Sequence, residues 1–262
     1  GIKQLYYAEG PFGFAFASEP QALIAAGLVA PVLREAAMEQ ILQLQFTTGA
    51  ETAFTGIYRL LPGETLIVER GQVSGRARRA ALPAGAPERC GEREALERLE
   101  NALVDSVTVH QRSDVPYGMF LSGGVDSSTV LALMARLNDR PVRAFTVGFP
   151  DTGVADERAL AREVARELGA EHVEIEFDEN DFWTTLPRIA ATLDDPVADY
   201  AVLPTYKLAE TAGRDLKVIL CGEGGDELFG GYGRYRSVMR PWWRAGRAMR
   251  GRGFVEGFGI LR

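Results

Sequence analysis

Apolar and polar positions follow two different rhythms along this chain. In the first 80 residues the rhythm is mixed. Leu5, Tyr6 and Tyr7 form a short apolar run, and Phe12, Phe14 and Phe16 recur at every second position, which predicts strands of a β-sheet with the phenylalanines on one face. Helical spacing follows over 19–26 and 35–46, and 64–73 predicts two strands around a turn at Arg70-Gly71. Pro83, Gly85, Pro87 and Gly91 then interrupt every period, so a linker is expected over 81–91 between a first domain at 1–80 and a second at 92–262. In the second domain strands and helices alternate. Residues 92–110 predict a helix with Leu96, Leu99, Leu103 and Val107 on one face. Strands are expected at 117–121, 142–148, 172–177 and 217–221, separated by helices at 127–138, 156–168, 181–193 and 204–212. This is the pattern of an open, parallel, doubly wound α/β sheet.

Composition narrows the picture. With 262 residues, 46% hydrophobic and 25% charged, the chain suits a soluble globular protein of one or two domains. No apolar run approaches the ~20 residues that span a bilayer, and no signal peptide precedes the first strand-like segment, so no membrane partner and a cytoplasmic location are expected. Cys90 and Cys221 are too few and too separated for a disulfide framework or a zinc site. The net charge of −7 speaks against broad nucleic-acid binding; Arg76, Arg78, Arg79 and the arginines from Arg234 onward read as solvated or helix-end charges. Phe12, Phe14, Phe16, Trp183, Trp242 and Trp243 read as core or interface residues, and His172 as a strand-end residue rather than a catalyst.

The chemistry concentrates in two loops. At FLSGGVDSS, residues 120–128, an apolar strand runs into Ser122, Gly123, Gly124, Val125, Asp126, Ser127 and Ser128 where a helix should begin. Paired glycines let backbone N–H groups converge on an anion, and the serines add hydroxyl donors at a helix N-terminus. Asp126 would repel bare phosphate, but suits a site where a divalent cation lies between them. A nucleotide with Mg²⁺ is therefore expected. The loop lacks the Gly-Lys-Ser/Thr ending of a Walker A sequence, so a different phosphate chemistry is implied. The last strand ends in a second such loop, Cys221-Gly222-Glu223-Gly224-Gly225-Asp226-Glu227. In a sheet of order 3-2-1-4 the first and fourth strands are neighbours, and both loops meet at the switch point where ligands bind. Asp126 and Asp226 then pair around Mg²⁺. The plainer alternatives are a serine-capped strand-to-helix turn and an Asp226 that only caps its helix.

With both loops in place, the chain resembles the synthetase half of the glutamine-dependent asparagine synthetase family. SGGVDSS at 122–128 is similar to its pyrophosphate loop and CGEGGDELFGGY at 221–232 to its second signature; Asp195-Pro196 and LPTY at 203–206 also fit. GIKQLYYA at 1–8, FASEPQAL at 16–23 and LLPGETLIV at 60–68 resemble the last part of the family's N-terminal class II (Ntn-type) glutaminase domain. The resemblance implies a PP-loop ATP pyrophosphatase fold of the adenine nucleotide alpha hydrolase type after a partial α+β glutaminase domain. It also implies a fragment: the N-terminal cysteine nucleophile and a lysine beyond the GGY segment are not matched, so the 262 residues alone are expected to lack glutaminase activity.

The implied chemistry is adenylation of aspartate by ATP with release of pyrophosphate, then attack by ammonia to give asparagine and AMP. By resemblance, Ser122, Gly123, Gly124, Ser127 and Ser128 stabilise the departing pyrophosphate, and Asp126 and Asp226 hold Mg²⁺. The backbone around Phe120, Leu121, Val147, Gly148, Cys221 and Gly222 binds adenosine, and Glu223 orients the attacking nitrogen or accepts its proton. Many relatives have Ser at the place of Cys221, a change that a backbone contact tolerates. DDPVADYAVLPTY at 194–206 keeps the family's outline, with Val197, Tyr200 and Val202 where more varied or polar residues are expected, which leaves the amino-acid pocket open. Expected partners are small molecules: ATP, aspartate or another carboxylate, and ammonia from glutamine. A homodimer is compatible with the family, although oligomeric state is not legible in the residues. The competing readings are a same-fold enzyme acting on a β-lactam, peptide, sugar or polymer precursor, a thiolation or nucleotide-modifying enzyme, and a nucleotide-binding fragment without activity.

Overall fold

A computed structural model describes residues 3–80, 88–150, 152–153 and 156–233. Most of the expected linker (81–87), the arginines from Arg234 onward, and Trp242 and Trp243 lie outside the described residues. The chain divides into two compact units, Gly1–Glu92 with Asp178–Lys207, and Arg93–Phe177 with Leu208–Arg262.

The first unit opens with β1 (Tyr6–Gly10), which pairs antiparallel with β2 (Gly13–Ala17) on one side and, after α1 (Pro20–Ala25) and α2 (Glu35–Leu44), with β3 (Tyr58–Arg59) on the other. A separate hairpin joins β4 (Glu64–Glu69) to β5 (Gln72–Arg78). Its two turn residues, Arg70 at φ 53° and Gly71 at φ 77°, are both left-handed, the conformation that matches the twist of a two-residue hairpin. The core gathers Tyr6, Ala8, Leu23 and Ile57, with Ala15 and Ala17 of β2 packed against it. The small residues of β2 therefore face inward, so the phenylalanines, read as core or interface residues, do not fill this core. Phe14 stacks on Tyr7 at 5.6 Å, Phe16 is 66% exposed, and Phe12 lies in the turn before β2. Trp183, 61% exposed, is likewise no core residue.

Segment 178–207 joins this unit through α6 (Glu179–Thr192) and the first part of α7 (Val202–Ala212). Asp178 and Asp181 form a reciprocal capping box at the start of α6. The strongest tie is Asp195, whose carboxylate accepts from Arg59 Nη2 at 2.6 Å, from Tyr6 OH at 3.2 Å and from Thr47 Oγ1 at 3.2 Å. Burial, then the neighbouring Asp195 charge, pushes the Tyr6 phenol up to about 12.

The second unit begins with α3 (Glu92–His110) and builds the parallel sheet from β6 (Tyr117–Phe120), β7 (Arg143–Gly148), β8 (Glu171–Glu176) and β9 (Val218–Leu220). The strand order is β8-β7-β6-β9, every pairing is parallel, and this is the expected 3-2-1-4 arrangement. Helix α4 (Val125–Leu137) connects β6 to β7, and α5 (Arg158–Glu167) connects β7 to β8. Leu131 and Met134 of α4, Ala161 and Ala165 of α5 and Val107 of α3 bury the strand residues Met119 and Ala144 together with Leu121 just beyond β6. Phe145 and Ile175 pack instead against Leu208 and Ala212 of α7. Helices thus cover both faces, as doubly wound sheets require. On α3 only Val107 is buried, while Leu96 and Leu99 are exposed, so its predicted apolar face is covered towards its C-terminal end. Both cysteines are free and exposed, and no helix among the described residues is long and apolar enough to cross a membrane.

Candidate functional site

The carboxyl ends of β6 and β9 lie side by side because both strands pair with each other in parallel register, Met119 opposite Leu220. Each strand then breaks into glycine. From β6 the chain enters residues 121–124 and turns into α4, whose N-cap is Gly124. From β9 it enters residues 221–224 and turns into the short α8 (Gly225–Phe229), where Gly224 adopts φ 96°.

The first loop is held in shape by its own hydroxyls. Ser127, buried, donates to the Ser122 carbonyl at 2.9 Å and accepts from the Ser122 amide at 3.1 Å. Ser128 Oγ donates to the Gly124 carbonyl at 2.8 Å, and the Gly124 amide donates to Ser122 Oγ at 3.2 Å. The Leu121 carbonyl accepts from Thr146 Oγ1 at 2.7 Å. Carbonyls 121, 122 and 124 are therefore all drawn into side-chain hydrogen bonds. The amides of 121, 122 and 124 also donate within the protein, to the Phe145 carbonyl, Ser127 Oγ and Ser122 Oγ, so an anion facing this loop meets the Gly123 amide and the start of α4, with those carbonyl oxygens turned to other partners. The two serines expected to donate outward thus serve the loop itself in this structure.

The two loops interlock through glycines. A methyl group built on Gly222 would lie 2.8 Å from the Ser127 amide nitrogen and 3.1 Å from the Asp126 carbonyl carbon. One built on Gly225 would lie 2.3 Å from Asp126 Oδ2, so the Asp126 carboxylate rests against the backbone that leads into Asp226. Residues a hundred positions apart are thereby in contact. The Asp226 carboxylate folds back towards Gly231, where a methyl would come within 1.8 Å of Oδ1. Glu223 is exposed on the second loop, as is Cys221. Phe120 and Val147 are half-buried strand-end residues, Leu121 is buried, and Gly123 packs on Leu160 of α5.

Gly148 is buried beneath Arg158: a methyl on it would meet Arg158 Nε at 2.0 Å. Arg158 is held there by Asp156, which takes Nε at 3.0 Å and Nη2 at 2.7 Å, and by Glu176 through Nη1 at 2.9 Å. Its hydrogen bonds to Asp156 hold that carboxyl below the usual range. Thr146 and Arg158 were not singled out from the sequence. A hydroxyl inside the apolar run of β7 was the available signal for the first; nothing local marks the second.

The donor chemistry suits Mg²⁺. Asp126 and Asp226 are hard oxygen donors, and no cluster of three or more His, Cys, Asp or Glu side chains arranged for a metal occurs among the described residues. Two carboxylates with the balance of ligands from phosphate and water is the usual Mg²⁺ arrangement.

A doubly wound parallel sheet with two interlocked glycine-rich loops at its switch point defines the class: an open α/β protein of the kind that binds ligands at the carboxyl ends of its strands. Comparison with known proteins then narrows the class. The asparagine synthase family profile matches residues 98–258, more than half of the chain, and a glutamine amidotransferase domain profile matches 1–79. The chain belongs to the asparagine synthase family. It is 35% identical over 240 residues to the glutamine-hydrolysing asparagine synthetase 1 of Bacillus subtilis, covering 91% of this chain and 37% of the relative. It is 37% identical over 150 residues to asparagine synthetase B of Escherichia coli, covering 51% of this chain and 26% of the relative. Amidase chyE of Penicillium rubens is 28% identical over 258 residues, which is 91% of this chain and 38% of that protein. The chain thus spans well under half the length of these relatives.

Proposed function

We propose that this chain carries the nucleotide half of an ATP-dependent amide-forming ligase that acts as a glutamine-hydrolysing asparagine synthase. A carboxylate oxygen of aspartate attacks the α-phosphorus of ATP, the bond to the β-phosphate breaks and pyrophosphate leaves. Ammonia then attacks the activated carboxyl carbon, AMP leaves, and one proton passes to a base. The observation that carries this reading is the loop 121–124, whose carbonyls at 121, 122 and 124 are hydrogen-bonded to hydroxyls and which leads directly into the N-terminus of α4. Such a surface stabilises a charge that grows on a leaving pyrophosphate.

In this reading Ser122, Gly123 and Gly124 line the pyrophosphate, with the Gly123 amide and the first amides of α4 as donors, and Ser127 and Ser128 keep the loop rigid. Asp126 and Asp226 would hold Mg²⁺, which supplies charge neutralisation to the leaving phosphates. The strand ends at Phe120, Leu121, Val147, Gly148, Cys221 and Gly222 form the adenosine side. Glu223, exposed beside them, positions the attacking nitrogen or takes its proton. The substrates are small molecules, and the place of reaction is the cytoplasm.

A second reading keeps the chemistry and changes the carboxylate. It is favoured by the similarity to a protein named as an amidase. Carboxylate-dependent exchange of labelled pyrophosphate into ATP, measured on the full-length parent protein, separates the two. Aspartate-dependent exchange is the expected result. Exchange with another carboxylate but not with aspartate would remove asparagine synthesis, and no exchange with any carboxylate would remove the ligase reading.

A further inference from the structure

Behind the first loop runs a chain of hydrogen bonds that the proposed chemistry does not use. Pairing of β6 with β7 ends at Phe120 opposite Phe145, and one residue later the Leu121 amide still donates to the Phe145 carbonyl at 2.9 Å. The Leu121 carbonyl is taken by a side chain, Thr146 Oγ1, at 2.7 Å. Thr146 is buried, and its Oγ1 lies 2.8 Å from Nε2 of His172 on β8.

Hydrogen-bond accounting fixes the direction. A carbonyl can only accept, so the single hydroxyl proton of Thr146 goes to Leu121. The contact with His172 then requires Nε2 to carry a proton and donate it. Burial keeps the His172 imidazole below its ordinary pKa, so the neutral ring is protonated at Nε2 and bare at Nδ1. Nδ1 faces Glu174 Oε1 at 3.5 Å, and Glu174 is itself engaged by Arg162 at 2.6 Å and 2.8 Å.

We propose that Thr146 and His172 are positioning residues for the loop 121–124: the buried relay His172–Thr146 holds the Leu121 carbonyl back, so that a pyrophosphate at the Gly123 amide and the N-terminus of α4 does not meet that carbonyl's negative end. The proposal rests on the reading of this loop as a pyrophosphate site. A carbonyl freed from Thr146 would be buried without a partner, and would relax by turning its negative end towards the anion.

The test titrates the chain with inorganic pyrophosphate and Mg²⁺ by calorimetry. Thr146→Val keeps the side-chain shape and removes the hydroxyl; about ten-fold weaker binding is expected, as for loss of one buried hydrogen bond. Thr146→Ser and His172→Gln, which keep the hydroxyl and a donor, should stay within about three-fold of wild type. Since the chain has two histidines, ¹⁵N spectra of wild type and His172→Gln assign the ring, and the Nε2–H tautomer is expected. Wild-type binding with an unchanged affinity in folded Thr146→Val overturns the relay alone, as does an Nδ1–H tautomer, which stands as a test even if the valine variant does not fold. A wild-type chain that ignores pyrophosphate overturns the loop reading and the relay with it.

Discussion

Replacing Asp195 with alanine removes the acceptor at the centre of the cluster that binds segment 178–207 to the first strands. Three donors lose it together: Arg59 at 2.6 Å, Tyr6 at 3.2 Å and Thr47 at 3.2 Å. Breaking a fully buried ion pair costs ~3–5 kcal/mol, while an exposed pair contributes ~0–1 kcal/mol. The Asp195 side chain is 19% exposed and that of Arg59 is 22% exposed, which places the loss between these limits, at ~2–3 kcal/mol. Arg59 Nε is buried without a partner, and once Asp195 is gone the guanidinium keeps only its hydrogen bonds to the carbonyl and hydroxyl of Thr47, neither of which carries a charge. Urea unfolding of wild type, Asp195→Ala, Arg59→Ala and the double variant forms a thermodynamic cycle. Because the chain has two compact units, hydrogen exchange of the β1 amides identifies which transition belongs to the first unit. A coupling energy of ~1–2 kcal/mol is expected. A coupling near zero, or a loss of less than ~0.5 kcal/mol in Asp195→Ala, would refute the argument that this cluster anchors the segment.

Two further outcomes follow from the same structure. The Tyr6 phenol is raised from 10.0 to about 12 in the folded chain, so its contribution to stability is complete below pH 10 and is lost as pH rises through about 12; absorbance titration of wild type against Tyr6→Phe should show one late-ionising tyrosine, and Asp195→Asn should bring it down. Gly222→Ala puts a methyl 2.8 Å from the Ser127 amide nitrogen, a backbone atom that cannot rotate away; the forced separation of the loops should cost ~1–3 kcal/mol and weaken ATP binding at least ten-fold, and an alanine variant with native affinity would show that the loops need not touch.

Much of the second unit was legible in its residues. Strict alternation of apolar runs with helical periods announced the parallel sheet, because strands covered on both faces have no polar side to display. The paired glycines and acidic residues after β6 and β9 were visible for a similar reason: close approach of two backbones excludes side chains at Gly222 and Gly225. The first unit was less legible, because periodicity is symmetric. Alternation at Phe12, Phe14 and Phe16 specifies that residues share a face but not which face is inward, and the alanines of β2 took the core.

The sequence by itself determined the two loops, their place at strand ends and the family to which the chain belongs, since these depend on local backbone freedom and on residue types at short spacing. Only the tertiary structure decided which groups meet. It joined Asp195 to Tyr6, Thr47 and Arg59, placed Arg158 over Gly148, and set His172 behind Thr146 and Leu121. Those contacts are made between elements distant in the chain, where burial and hydrogen-bond satisfaction in three dimensions select the partners and local pattern carries no record of the choice.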